Sequence, residues 1–227
     1  MHPFVRGIQK SFSIFANPAL AVGMKAYMLD QFEFLGIKAP LRDQLTKEYL
    51  KNNRLDNWEE LELVMKALWA LPEREFQYFA IDVLKKHQHL WTNQSIQLME
   101  YCISEKSWWD SVDGIASEWL GVFFQSFPAL VPKIPNKWNQ SLNIWLQRSS
   151  ILFQKSYKAS TNTVLLSKYI LHCSASSEFF IRKAIGWALR EYSKTNPSWV
   201  IQFVNDHPLS NLSKREALKI INKNSLK

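Results

Sequence analysis

The stretch KSWWDSVD, residues 106–113, puts an aromatic surface beside a carboxylate. Trp109 and Asp113 are four residues apart, so on a helix they share one face. A core would reject the carboxylate, and a solvated face would have no need of the tryptophan. The pairing suits a flat, positively charged ligand: an indole face attracts a cation, and a carboxylate can stabilise positive charge as it develops on a reacting group. The opposite face, Trp108, Val112, Ile115 and Trp119, reads as core. A purely structural role for Asp113 stays open, as a cap on a neighbouring helix or as the partner of Arg148.

Two arginines stand three residues after tryptophans, as Trp145-x-x-Arg148 and Trp187-x-x-Arg190. The guanidinium fork suits bidentate contact with phosphate. Solvated helix arginines are the plainer alternative, and the recurrence favours phosphate. Charge distribution points the same way. Of a net charge of +8, none falls in residues 1–102, which hold 12 Lys+Arg and 12 Asp+Glu. Residues 103–227 hold 16 and 8. No acidic residue lies between Glu118 and Glu178, a span that includes Lys133, Lys137, Arg148, Lys155, Lys158 and Lys168. Such a one-sided surface attracts a polyanion such as nucleic acid. The five histidines and two cysteines have no metal-ligand spacing, so no metal or other cofactor is expected. Neither a glycine-rich phosphate loop nor a Ser/His/Asp or Cys/His arrangement in motif context is present.

The elements that must position these residues read as helices. Apolar residues recur at intervals of three and four through DNWEELELVMKALWALPEREFQYFAIDVLKKH. Asp56 with Glu59 and Ser213 with Glu216 have capping-box spacing. Asn196 is a candidate N-cap with Pro197 behind it, and Pro72 suits a first helical turn. About ten to twelve helices of around 12 residues are expected. Trp69, Trp109, Trp145 and Trp187 recur at spacings of 40, 36 and 42 residues, the period of HEAT-like repeats. The expected class is all-α, a curved solenoid of antiparallel helix pairs with a concave basic cleft. Trp69, Trp119 and Trp145 read as core. FPALVPKIPNKWNQSLN reads as a proline-broken connection. One domain over 1–227 is expected, with no membrane span. The N-terminus lacks an apolar signal core, and cysteine usage suggests a reducing cytoplasm.

KSWWDSVDGIASEWLG, NIWLQRSSILFQ and KAIGWALREYSKTNP closely resemble the AlkD-type DNA alkylation repair glycosylases, as do MHPF, FLGI, LPEREFQ and LSKREA. The resemblance spans nearly the whole chain. It implies a stack of HEAT-like repeats acting on alkylated duplex DNA as a monomer. The implied activity is release of cationic N3- and N7-alkylated purines, 3-methyladenine and 7-methylguanine, by a monofunctional enzyme that does not hold the base in a pocket. It also implies that Asp113 is the catalytic carboxylate, that Trp109 and Trp187 face the lesion, and that Arg148 and Arg190 contact the backbone. Tyr27 matches an N-terminal tyrosine near the lesion. One position departs: relatives carry a lysine where this chain has Ser156, with Lys155 beside it. On a helix one residue turns a side chain by about 100°, so Lys155 is not expected to reach the same place. Lys158 completes the expected DNA contacts.

Overall fold

The computed structural model describes residues 1–224. Those residues form no strand. The single β-bridge, Glu33 with Glu73, is isolated, so the all-α class holds. Two compact units appear where the sequence suggests no boundary: Met1–Leu98 and a second beginning at Met99.

The first unit holds α1 (Pro3–Ile14), α2 (Pro18–Tyr27), α3 (Ala39–Asn52), α4 (Trp58–Ala70) and α5 (Arg74–Lys86). Its chemistry begins at MHPF. His2 caps α1 by accepting the Phe4 N–H, Pro3 opens the first turn, and Phe4 is buried. Phe12 stacks on Phe76 and meets Phe79 edge-on. The cap of α4 lies one residue beyond the expected place. Asn57 accepts the Glu60 N–H at 2.8 Å, and Glu60 reaches back to the Asp56 N–H at 3.0 Å. Pro72 precedes α5 instead of entering its first turn.

FLGI and LPEREFQ explain each other. Glu75, fully buried, accepts the backbone N–H groups of Leu35, Gly36 and Ile37 at 2.9–3.1 Å. Gly36 has φ +87°, and a Cβ there would sit 2.1 Å from the Asn17 carbonyl. Only glycine fits that backbone.

His87 ends α5 and is 3% exposed. Its Nε2 accepts the Leu55 N–H at 3.2 Å, so the proton is on Nδ1, which donates to the Val83 carbonyl at 2.8 Å. Burial, the largest cause, lowers its pKa below the usual 6.5. Protonation would set a second N–H against that of Leu55. The unfolded chain therefore takes up the proton first, and stability is full above pH ~6.5 and declines as the pH falls towards the folded pKa. Thermal melts at stepped pH should show this loss for the wild type, and His87→Gln should flatten the curve below about pH 6.5. Parallel curves would place the acid sensitivity elsewhere.

The second unit continues α6 (Ser95–Ser104) into α7 (Trp109–Gly114), α8 (Gly121–Ser126), α9 (Ile134–Asn139), α10 (Ile144–Leu152), α11 (Thr163–Cys173), α12 (Phe179–Tyr192), α13 (Pro197–Asp206) and α14 (Asn211–Asn224). Helices are more numerous and shorter than expected because residues 109–139 are subdivided. A π-helical turn, Ile115–Leu120, joins α7 to α8. The proline-rich connection contains α9, where Pro135 opens a helix whose Trp138 is fully buried. Asn196 caps α13 as expected, accepting the Trp199 N–H. Ser213 does not cap α14. Ser210 accepts its N–H, while the Ser213 hydroxyl donates to the Arg182 carbonyl.

Candidate functional site

Asp113 is positioned from both sides along its own chain. α7 begins after Trp108, whose backbone is extended, and Trp109 occupies the first helical position. Asp113 follows one turn later, and the π-helical turn starts two residues beyond it. Such turns widen a helix and often lie at functional sites. The Ser117 hydroxyl donates to the Asp113 carbonyl within that turn. Val112, Ile115 and Trp119 are fully buried, as their face of the helix predicts. Ala116 is buried as well.

The carboxylate meets Arg148 on α10. Nε donates to Oδ1 at 2.7 Å and Nη2 to Oδ2 at 2.8 Å, while Nη1 donates to the Phe180 carbonyl. The Arg148 side chain is 1% exposed and that of Asp113 18%. α10 is buried along almost its whole second half, Arg148 to Leu152. A charge in such a place requires a fixed counter-charge, and the two-point geometry is the strongest kind of pair. The arginine expected to reach outward to phosphate is thus turned inward in this structure. Asp113 keeps an open edge, since each oxygen can accept more than one hydrogen bond.

Trp187 on α12 is half-buried and surrounded by cations. The Arg148 guanidinium carbon lies 5.2 Å from its ring centroid. Lys155, Lys183 and Arg190 each lie at 5.8 Å. Asp113, Arg148, Trp187, Lys155 and Arg190 therefore form one connected cluster, with the half-buried Trp109 one turn from Asp113. Lys155 is near Trp187 because the helical-wheel argument does not apply to it. α10 ends at Leu152, and residues 153–156 form a turn in which the Lys155 N–H donates to the Leu152 carbonyl. Ser156 is exposed. Lys158 stands on an exposed 3₁₀ turn, Lys158–Ser160. With Lys155 and Lys194 it lines a cavity of about 190 Å³. Tyr27 ends α2 in the first unit and is 70% exposed.

The two Trp-x-x-Arg sequences differ in use. Trp145 packs against Phe180 at 4.9 Å and Trp108 at 5.8 Å, whereas Trp187 faces charges. Lys183 and Glu216 were not singled out by the sequence as members of this cluster. Lys183, Trp187 and Arg190 have the i, i+4, i+7 spacing of one helix face, a signal that was available. Glu216 carried none, because it belongs to another helix. Among the described residues, no group of three or more His, Cys, Asp or Glu side chains could hold a metal ion. Among the same residues, no helix is long and apolar enough to cross a membrane.

The chain carrying this site has counterparts among known proteins. The family described as "DNA alkylation repair enzyme" matches residues 8–221, and the chain belongs to that family. A solved structure titled a predicted DNA alkylation repair enzyme from Enterococcus faecalis is similar, with a TM-score of 0.84 and 37% identity over 90% of this chain and 95% of that one. No curated protein matches the chain at a significant level.

Proposed function

We propose that this member of the DNA alkylation repair family is a monofunctional DNA glycosylase that releases cationic N3- and N7-alkylated purines, 3-methyladenine and 7-methylguanine, from duplex DNA. The observation that carries the reading is the Asp113 carboxylate, locked in place by Arg148 with an edge left to solvent, beside Trp187.

Alkylation at N3 or N7 makes the purine a cation and a good leaving group. Its departure needs no strong general acid. The site must instead stabilise the sugar as it becomes oxocarbenium-like and direct a water to it. A fixed carboxylate can do both. Being held before substrate arrives, it pays no reorganisation cost at the moment of reaction. Trp109 and Trp187 hold the cationic nucleotide by cation–π contact. We assign Arg148 the role of orienting Asp113, with Arg190, Lys155 and Lys158 as backbone contacts on the basic unit. Tyr27 is proposed as a further DNA contact. The lesion is not held in a pocket. DNA binding places the protein at the cytoplasmic nucleoid.

The competing reading is a non-catalytic scaffold that binds distorted DNA or a protein. Incubating the protein with methylated duplex should release free 7-methylguanine. Duplex binding without any release would favour the scaffold.

A further inference from the structure

Glu216 is the carboxylate that holds two of the four cations around Trp187. It accepts from Lys183 and from Arg190, each at 2.8 Å. Its side chain is 11% exposed, while those of Lys183 and Arg190 are 25% and 26% exposed. The two cations thus retain faces open to a ligand, and the anion between them lies deeper. This arrangement depends on a close approach of α12 and α14. A Cβ on Gly186 would lie 2.4 Å from the Glu216 Cβ and 3.0 Å from the Ser213 carbonyl. Gly186 therefore lets Glu216 sink against α12 midway between Lys183 and Arg190, one residue from Trp187. Hydrogen bonding from Lys183, with the charges of Arg190 and Lys219, lowers the Glu216 pKa, so it is an anion wherever DNA repair operates.

We propose that Glu216 is a specificity-determining counter-ion. It orients Lys183 and Arg190 on either side of Trp187 and withholds part of their charge from DNA, which restrains binding to undamaged duplex. The proposal rests on the DNA-binding reading above. Phosphate contact is indifferent to the lesion. An enzyme that must leave undamaged DNA quickly gains from an internal anion that competes with phosphate for the same donors. Lys183 becomes, on this view, a second backbone contact beside Arg190.

The test is Glu216→Gln, which keeps the shape and removes the charge. Affinity for an undamaged duplex should rise about threefold to tenfold, the scale of one partly exposed charge. The slope of log affinity against log salt should steepen by up to about 0.9, as for one further phosphate contact. A melting curve reports whether the variant is folded. Should Glu216→Gln be unfolded, Glu216→Asp keeps the charge but is too short to span both cations, and a smaller rise in affinity is expected. The same substitution at the exposed N-cap of α12, Glu178→Gln, controls for the simple change in net charge and should give less than half the effect. A folded Glu216→Gln protein with unchanged or weaker duplex affinity overturns the proposal and leaves Glu216 a packing residue. Release of 7-methylguanine by the wild type is measured alongside. No release with a rise in Glu216→Gln affinity rejects the glycosylase and keeps the counter-ion. Release without the rise does the reverse. A wild type that does not bind duplex at all overturns both.

Discussion

Asp113→Asn should lower the single-turnover rate of 7-methylguanine release by roughly two to three orders of magnitude, the scale of losing one preorganised electrostatic group. Asparagine keeps the size of the side chain but removes the charge that would face the developing sugar cation. It also turns one end into a donor facing the Arg148 donors, so one of the two bonds to Arg148 is lost. Some loss of thermal stability is therefore expected with the loss of rate, because Arg148 is left with a poorer counter-charge in a buried place. Assays well below the melting temperature separate the two effects. Duplex affinity should change little or rise slightly, since an anion has left a basic surface. Wild-type release by Asp113→Asn would make Asp113 structural. Single-turnover conditions matter because they separate chemistry from product release.

The second large effect is expected at Arg148. Arg148→Lys retains a charge but not the fork that grips both carboxylate oxygens. Release should fall by about ten- to a hundredfold, as for a catalytic group displaced by around an ångström. Arg148→Met removes the charge altogether and is diagnostic for the two roles open to this arginine. If it orients Asp113, release is lost while the salt dependence of duplex binding stays as in the wild type. If it contacts phosphate, the slope of log affinity against log salt flattens by about 0.9. The inward guanidinium, bonded through each of its three nitrogens and 1% exposed, predicts the unchanged slope.

Much of this was legible in the sequence, and the gaps have physical causes. Helix content followed from apolar periodicity. The Trp109–Asp113 face followed from a spacing of four, and the basic second half from simple counting. Three kinds of information were not available. Register is one: Asn57 and Asp56 are equally good caps by composition, and Asn57 won because the chain enters α4 one residue later. Local departures from helix are another. A helical wheel turns Lys155 aside, but the helix ends at Leu152, and the turn beyond it returns the lysine to Trp187. The π-helical turn after Asp113 has no sequence signature that periodicity could detect. Partners across helices are the third. From the sequence, pairing of Asp113 with Arg148 stands as an alternative to catalysis, whereas the geometry makes the pair compatible with it. Glu216 has capping-box spacing three residues from Ser213, yet reaches two cations on α12.

The most direct test of the glycosylase reading is to follow both products of one reaction. Wild-type protein is incubated with duplex DNA carrying 7-methylguanine, and free base and abasic sites are quantified over time. Equal yields of free 7-methylguanine and abasic sites, in strands that stay unbroken, are predicted. Guanine restored in the duplex with no free base, or no change in the DNA under conditions where the protein binds it, would contradict the account.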